Sequence, residues 1–381
     1  MDLAASESHV RRWIWCVSET PGRGSGLGNE LVPWARAYLM SQVLSARCIG
    51  PAFARNTRPY RDYFATPWWD WAAQKLMHRV LPTVRFTEAD HVAHGGGDVL
   101  RSFAAFAERH RLHERGPLVV STSGMWGGPL HVRRARDQIR ALLAGTRHAG
   151  ENLAALGSRL DPDKITVALH VRLGDFVPHL DLTRQYRNRF NVALPLGWFV
   201  EVGQQVRAAL GDGVQFQVFS DGTPAQLQAL YKALDPVNTR SPFPNEVSDL
   251  LALARADLLV CSVSSYSMWA AALSDAAYLW FKPQLHPQAA GWWSIWGFEP
   301  SQQLSGSVTI KASRRRFAER SSMASRAFAH APGEVLSPAL LAALRRRQDW
   351  RRVHADLVMN GVVPDAISTC DPLADRGSDG G

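Results

Sequence analysis

The stretch ITVALHVRLGD, residues 165–175, carries the strongest fold signal in the chain. It begins as an apolar, β-branched run, which predicts a buried strand over Ile165–Val171. The run then ends abruptly in His170, Arg172 and Asp175, packed around one glycine. Ligands of α/β sheets bind at the carboxyl ends of strands, and a guanidinium matches two phosphate oxygens at once. The stretch therefore predicts an anion site, and a phosphate site in particular, at a strand end. An Arg–Asp ion pair without a ligand is the alternative.

Strands and helices alternate on both sides of this stretch. A strand at Arg12–Val17 runs through a glycine-dense loop into a helix over Leu31–Leu44, the opening unit of a Rossmann-like domain. This alternation predicts an α/β fold built on parallel sheets with helices on both faces. Further strands are predicted at Leu118–Ser121, Val214–Phe219, Leu258–Val263 and Tyr278–Phe281, and further helices at Leu196–Leu210, Pro224–Leu234, Glu246–Ala256, Ser267–Leu273 and Ala339–Val358.

The length of 381 residues predicts two domains, because it exceeds what one compact core usually holds. We expect a first Rossmann-like domain over residues 1–157 and a second over residues 158–363. Residues 364–381 are rich in Asp, Gly, Ser and Pro and predict a disordered tail.

The chain is basic, with 43 Lys and Arg against 34 Asp and Glu, a net charge of +9. Such a balance favours anionic partners, namely nucleic acid, a membrane surface or a nucleotide, although a solvated basic surface explains it equally well. The densest runs are Arg133–Arg136, Arg314–Arg316 and Arg345–Arg347. None is interleaved with aromatic residues, so no nucleic-acid partner is expected.

The cysteines and the chain start suggest a cellular location. Cys16, Cys48, Cys261 and Cys370 form no CxxC pair, so neither a zinc site nor a disulfide framework is expected. The first residues lack the apolar core of a signal peptide, and no apolar stretch approaches the roughly 20 residues of a membrane span. We expect a cytoplasmic protein that binds no metal and does not span a membrane.

Three further motifs could carry chemistry. The glycine loop Gly24–Glu30 lets a ligand approach the backbone in front of a helix, but it does not fit GxGxxG, and a plain tight turn is the alternative. Ser220–Thr223 puts an Asp at another strand end, where Asp-Gly is also an ordinary turn pair. In Leu258–Leu273 a buried strand stops at two serines before a helix, which predicts an anion cradle or a simple N-cap.

Taken together, the motifs resemble the fucosyltransferase superfamily. The matching stretches are most similar to α-1,2-fucosyltransferases; the nodulation enzymes, the core α-1,6 enzymes and protein O-fucosyltransferases are more distant relatives. The matching stretches occur in the same order as in the family, over residues 26–274. They are GLGNELVPWARAYLMSQVL, ALHVRLGDF, FQVFSD and DLLALARADLLVCSVSSYSMWAAALS.

The resemblance implies an inverting, metal-independent glycosyltransferase of the GT-B type, in which two Rossmann-like domains face a cleft. Its co-substrate would be GDP-fucose, bound mainly by the second domain without further cofactors. The first domain would take the acceptor, a hydroxyl of a glycan or small glycoside. Arg172 would contact the donor β-phosphate, with His170 and Asp175 beside it in the motif. The other implied donor-binding residues are Gly26, Gly28, Asn29, Asp221 (near the nucleoside), Ser264, Ser265, Tyr266 and Ser267.

The sequence departs from the family at two motif positions. Leu173 stands where many relatives have a second arginine, and Glu30 stands where they often have glutamine.

Asp175, Glu30 and His170 are three candidates for the catalytic base. Two alternatives stay open: a glycosyltransferase that uses another nucleotide sugar for natural-product or surface-glycan synthesis, and a non-catalytic protein that binds a nucleotide or nucleic acid.

Overall fold

The structure is a computed structural model with two compact units. It describes residues 11–19, 26–50, 58, 60–65, 68–96, 98–174, 176–178, 192–237, 241–262, 264–284 and 326–353. The first unit ends at Arg147 and the second begins at His148. The predicted tail, residues 364–381, lies outside the described residues.

The first unit contains a four-stranded parallel sheet, as predicted for a Rossmann-like domain. Its strands lie in the order β2-β1-β4-β3, so β1 separates β2 from the two later strands. β4 is almost fully buried, which fits a parallel strand covered on both faces. The strands are β1 (Arg11–Glu19), β2 (Ala46–Cys48), β3 (Thr83–Arg85) and β4 (Leu118–Ser123).

Helices of the first unit lie between these strands in the chain and after the last of them. The first one is longer than predicted, because it starts at Leu27, immediately after Gly26, and ends at Leu44. The Trp-rich segment 56–71, which has no clear apolar period, contains one short helix and the start of another. The helices are α1 (Leu27–Leu44), α2 (Tyr60–Tyr63), α3 (Trp68–Val80), α4 (Glu88–Ala93), α5 (Val99–Arg109), α6 (Gly128–His131) and α7 (Arg136–Ala144).

The second unit is built on a five-stranded parallel sheet in the order β11-β10-β9-β5-β8. The predicted central strand over Ile165–Val171 is confirmed and all seven of its residues are buried. The strands are β5 (Ile165–Val171), β8 (Val214–Ser220), β9 (Leu258–Cys261), β10 (Ala277–Phe281) and β11 (Ala327–His330); β6 (Val177–Pro178) and β7 (Val192–Ala193) form a separate parallel pair.

The helices of the second unit largely follow the prediction. Two begin and end at the predicted residues, α9 and α10. The latter starts with a capping box in which Thr223 and Gln226 satisfy each other's backbone N–H groups. The helices are α8 (Ala149–Gly157), α9 (Leu196–Leu210), α10 (Pro224–Leu234), α11 (Glu246–Leu253), α12 (Ser265–Leu273) and α13 (Pro338–Val353).

Helix α8 belongs to the second unit, whereas the sequence placed it at the end of the first domain. The reason lies in its buried Asn152, whose side-chain amide donates to the Phe243 carbonyl at 2.6 Å and to Ser248 Oγ at 2.9 Å. These bonds tie α8 to the start of α11. None of the helices in the described ranges is long and apolar enough to cross a bilayer.

Candidate anion site at the carboxyl edge of the second sheet

The predicted site lies where the strand order of the second sheet reverses. From β5 the chain passes to β8 on one side, and later to β9 on the other side. In open α/β sheets, ligands bind at such a switch point, outside the carboxyl ends of the strands. Arg172 follows β5 and Ser264 follows β9, so the fold brings these two predicted residues to the switch point from adjacent strands.

Arg172 is held by its neighbours on both adjacent strands. Its backbone N–H donates to Ser262 Oγ at 3.0 Å, and its Nη1 lies 2.8 Å from Asp221 Oδ2. The guanidinium carbon also lies 5.5 Å from the centre of the Phe176 ring. About a quarter of the Arg172 side chain remains exposed (24%). A ligand can therefore reach this cation without unfolding its surroundings.

Asp221 accepts hydrogen bonds from the turn that carries Arg172. The Leu173 N–H donates to its Oδ1 at 2.7 Å. Burial raises the pKa of Asp221, but the backbone N–H groups of Leu173 and Gly174, the charge of Arg172 and the N–H of Asp221 itself together lower it below its ordinary value. Asp221 is therefore ionised at neutral pH.

His170 is buried and acts as a neutral imidazole. Its Nδ1 lies 2.6 Å from Ser267 Oγ, and its ring centre lies 4.9 Å from that of Tyr266. Burial, followed by the positive charge of Arg172, lowers the pKa of His170 to about 3, although Asp221 raises it. The side chain thus links the end of β5 to the first turn of α12.

The serine motif caps α12. Ser264 is the N-cap, and its Oγ accepts from the Ser267 N–H at 3.2 Å. Ser267 is fully buried, whereas Ser265 and Tyr266 are partly exposed in the first turn. A helix N-terminus carries partial positive charge and attracts anions. The structure thus places a polar, electropositive turn next to the strand that carries Arg172.

Asp249 is a titratable residue that the sequence analysis did not single out. Burial, followed by the charge of Glu246 one turn earlier, raises the pKa of Asp249 to about 7. Helix α11 reaches the site through Tyr266, whose hydroxyl donates to the Glu246 carbonyl. Two acids three residues apart in a largely apolar helix were the signal available in the sequence.

The predicted residues of the glycine loop lie in the first unit. The Gly26 carbonyl accepts from the N–H groups of Asn29 and Glu30, at 2.9 and 3.3 Å, and so opens α1. Gly28 and Glu30 are buried, and Asn29 is partly exposed. Asp175, the remaining predicted residue, lies outside the described residues.

The described part of the chain shows no group of three His, Cys, Asp or Glu side chains that could hold a metal ion. His91 and His94 of the first unit both make structural hydrogen-bond contacts. His91 Nδ1 lies 2.6 Å from Ser102 Oγ, and His94 Nδ1 lies 2.7 Å from the Asp90 carbonyl.

Comparisons with known proteins give one structural match. No protein-family model and no curated protein matches the chain. Among solved structures, the chain is similar to a crystal structure of NodZ alpha-1,6-fucosyltransferase soaked with GDP-fucose, with a TM-score of 0.35 and 15% identity. The alignment covers 69% of this chain and 92% of that chain.

Proposed function

We propose that the protein is an inverting, metal-independent glycosyltransferase that transfers fucose from GDP-fucose to a hydroxyl of a glycan or small glycoside. The observation that carries the proposal is the position of Arg172, a partly exposed cation at the switch point of a parallel sheet. The capped N-terminus of α12 follows the neighbouring strand. Together they form the kind of site that holds a diphosphate without a metal ion.

In this reaction the acceptor oxygen attacks the anomeric carbon of the donor. The bond from that carbon to the diphosphate breaks, and the electron pair leaves with GDP. Stabilising the charge that develops on the leaving group is the main electrostatic task. Arg172 and the N–H groups of the first turn of α12 supply that stabilisation.

The acceptor proton must pass to a base. An imidazole whose pKa is about 3 accepts protons poorly at neutral pH, so we assign His170 a positioning role. Glu30 and Asp175 are the remaining candidates. An oxocarbenium-like transition state needs only modest help from either carboxylate, by analogy with glycoside hydrolysis.

The choice of GDP-fucose is supported by the four motifs that resemble the fucosyltransferases and occur in the same order. We extend the proposal to a GT-B arrangement, because each of the two units contains its own parallel sheet. Leu173 removes one cation from the phosphate-binding motif, since relatives often carry a second arginine there. A glycosyltransferase that uses another nucleotide sugar is the second candidate.

The test compares Arg172→Ala with Arg345→Ala, which removes an exposed arginine of α13. We expect wild type and Arg345→Ala to be stabilised by GDP in a thermal shift assay and to release GDP from GDP-fucose. Arg172→Ala should lose about 100-fold or more of that turnover, the usual cost of removing a group that stabilises the charge of the transition state. Full turnover in Arg172→Ala would contradict the role of Arg172. Stabilisation by UDP or TDP sugars without a response to GDP would support the second candidate.

A further inference from the structure

Asp221 makes its observed contacts with the turn that carries Arg172. One carboxylate oxygen accepts the Leu173 N–H at 2.7 Å, and the other lies 2.8 Å from Arg172 Nη1. The Gly174 N–H also stabilises the ionised form of this carboxylate. Both carboxylate oxygens are therefore engaged within the protein.

The two turns are also fitted to each other sterically. A Cβ on Gly174 would lie 2.5 Å from Asp221 Oδ2, closer than two such atoms can approach. A Cβ on Gly222 would lie 2.5 Å from Leu173 Cδ1. A side chain at either glycine would therefore force the facing side chain of the other turn to move. Leu173, which replaces the second arginine of many relatives, forms part of this contact.

We infer that Asp221 is a positioning residue, which holds the Arg172 guanidinium in place for a phosphoryl ligand, and that it does not bind the nucleoside. The inference rests on the proposed function only for the identity of that ligand. A carboxylate that orients a ligand-binding group from behind is a common arrangement, and its loss typically costs 10- to 100-fold in activity, as measured at metal sites. The resemblance alone placed Asp221 near the nucleoside, whereas the contacts connect it to Arg172.

Two variants disturb the contact between Asp221 and the Arg172 turn, one by changing Asp221 and the other by changing Gly174. Asp221→Asn removes the charge but keeps an oxygen for the Leu173 N–H, so the turn can persist. Gly174→Ala displaces the carboxylate by steric clash. Gly197→Ala is the matched control, because a Cβ at this exposed position in the first turn of α9 would meet no atom within 4 Å.

The first measurement needs no ligand. In ¹⁵N NMR spectra we expect the Arg172 guanidinium signals, assigned from their loss in Arg172→Lys, to lie apart from those of exposed arginines. They should move to the exposed position in Asp221→Asn and Gly174→Ala, but not in Gly197→Ala. If Asp221→Asn leaves the signals in place, Asp221 does not hold the guanidinium and the inference is overturned.

The second measurement separates positioning from nucleoside binding. We expect Asp221→Asn to reduce the release of GDP from GDP-fucose at least tenfold, to change the Kd of guanosine less than twofold, and to have no further effect when combined with Arg172→Ala. A tenfold weaker Kd for guanosine in both backgrounds would show a nucleoside contact and overturn the inference. If wild type binds neither GDP nor GDP-fucose, the proposed function fails, and the NMR result alone decides the role of Asp221.

Discussion

The carboxylate of Asp257 lies 2.7 Å from Nε of Arg347, and its side chain is completely buried. The second oxygen lies 2.8 Å from Nε of Arg351 and also accepts the Thr166 N–H at 2.8 Å. One carboxylate thus joins helix α13 to the amino ends of β5 and β9. A helix that follows the last strand is fixed in this way to the centre of the sheet.

Asp257→Asn should destabilise the protein by about 3–5 kcal/mol, because it leaves buried guanidinium groups without their counter-ion. The free energy of urea unfolding, followed by circular dichroism, measures the effect. Asp161→Asn is the control, since its half-exposed carboxylate lies 3.7 Å from Lys164 and such pairs contribute about 0–1 kcal/mol. Equal losses in the two variants would contradict the central role of Asp257.

Asp249 predicts a pH dependence of stability. Its pKa is about 7 in the folded protein against 3.8 for an unperturbed carboxyl group, so the folded state binds more protons than the unfolded state between these values. The stability contributed by this proton is complete below about pH 4 and is lost as the pH rises through 7.

Asp249→Asn does not titrate and should remove this dependence. We expect the urea midpoint of wild type to fall relative to that of Asp249→Asn between pH 5 and pH 8, by an amount equivalent to about 1–3 kcal/mol. Asp212→Asn, which changes an exposed carboxylate of the same unit, should follow wild type at every pH. A constant difference between wild type and Asp249→Asn would show that Asp249 is ionised throughout.

The sequence predicted the elements whose signals are local. The strand Ile165–Val171 is one apolar run, and the start of α10 is marked by Thr223, Pro224 and Gln226 within four residues. Helix α3 was missed because its Trp-rich start shows no apolar period, and β11, with only four residues, lacks a clear signal.

The contacts of the site could not be predicted in the same way. Leu173 and Asp221 are 48 residues apart and meet because β5 pairs with β8, and the order of motifs along the chain does not reveal strand neighbours. The raised pKa of Asp249 depends on the burial of its side chain. Many helices are buried in the same way, so the helix pattern in the sequence does not single out Asp249. The chemical character of Arg172 and Ser264 was visible in the sequence, whereas the ion pair with Asp221 required the fold.

Gly127 tests the packing of the loop after β4 in the first unit. Its φ is +73°, and a Cβ there would lie 2.3 Å from the His131 ring. Gly95 also has a positive φ, +97°, but a Cβ there would meet no atom within 4 Å. An alanine at Gly95 therefore introduces backbone strain alone, whereas an alanine at Gly127 adds a steric clash.

We expect Gly95→Ala to lose about 1–2 kcal/mol of unfolding free energy from strain alone. Gly127→Ala should lose about 1–3 kcal/mol more, because His131 must move within a packed interior. Urea unfolding of both variants measures the difference. Equal losses would show that the His131 ring moves aside at no cost.

Substitution of Ser264 tests whether the cap of α12 contributes to ligand binding as well as to stability. Its Oγ accepts from the Ser267 N–H, as the Thr87 side chain accepts from the Asp90 N–H at the start of α4. Ser264→Ala and Thr87→Ala should therefore each lose about 1 kcal/mol of unfolding free energy. The two helix starts differ in their location, since α12 begins at the switch point after β9, whereas α4 belongs to the first unit.

Only Ser264→Ala should weaken the binding of GDP, because only this cap organises N–H groups beside the proposed diphosphate site. We expect its Kd for GDP to rise at least threefold in isothermal titration calorimetry, while Thr87→Ala keeps the wild-type Kd. Since the two variants lose similar stability, a change in Thr87→Ala as well would trace the effect to a general loss of stability. Unchanged Kd values in both variants would exclude the start of α12 from the binding site, and the phosphate would then depend on Arg172 without the help of the helix.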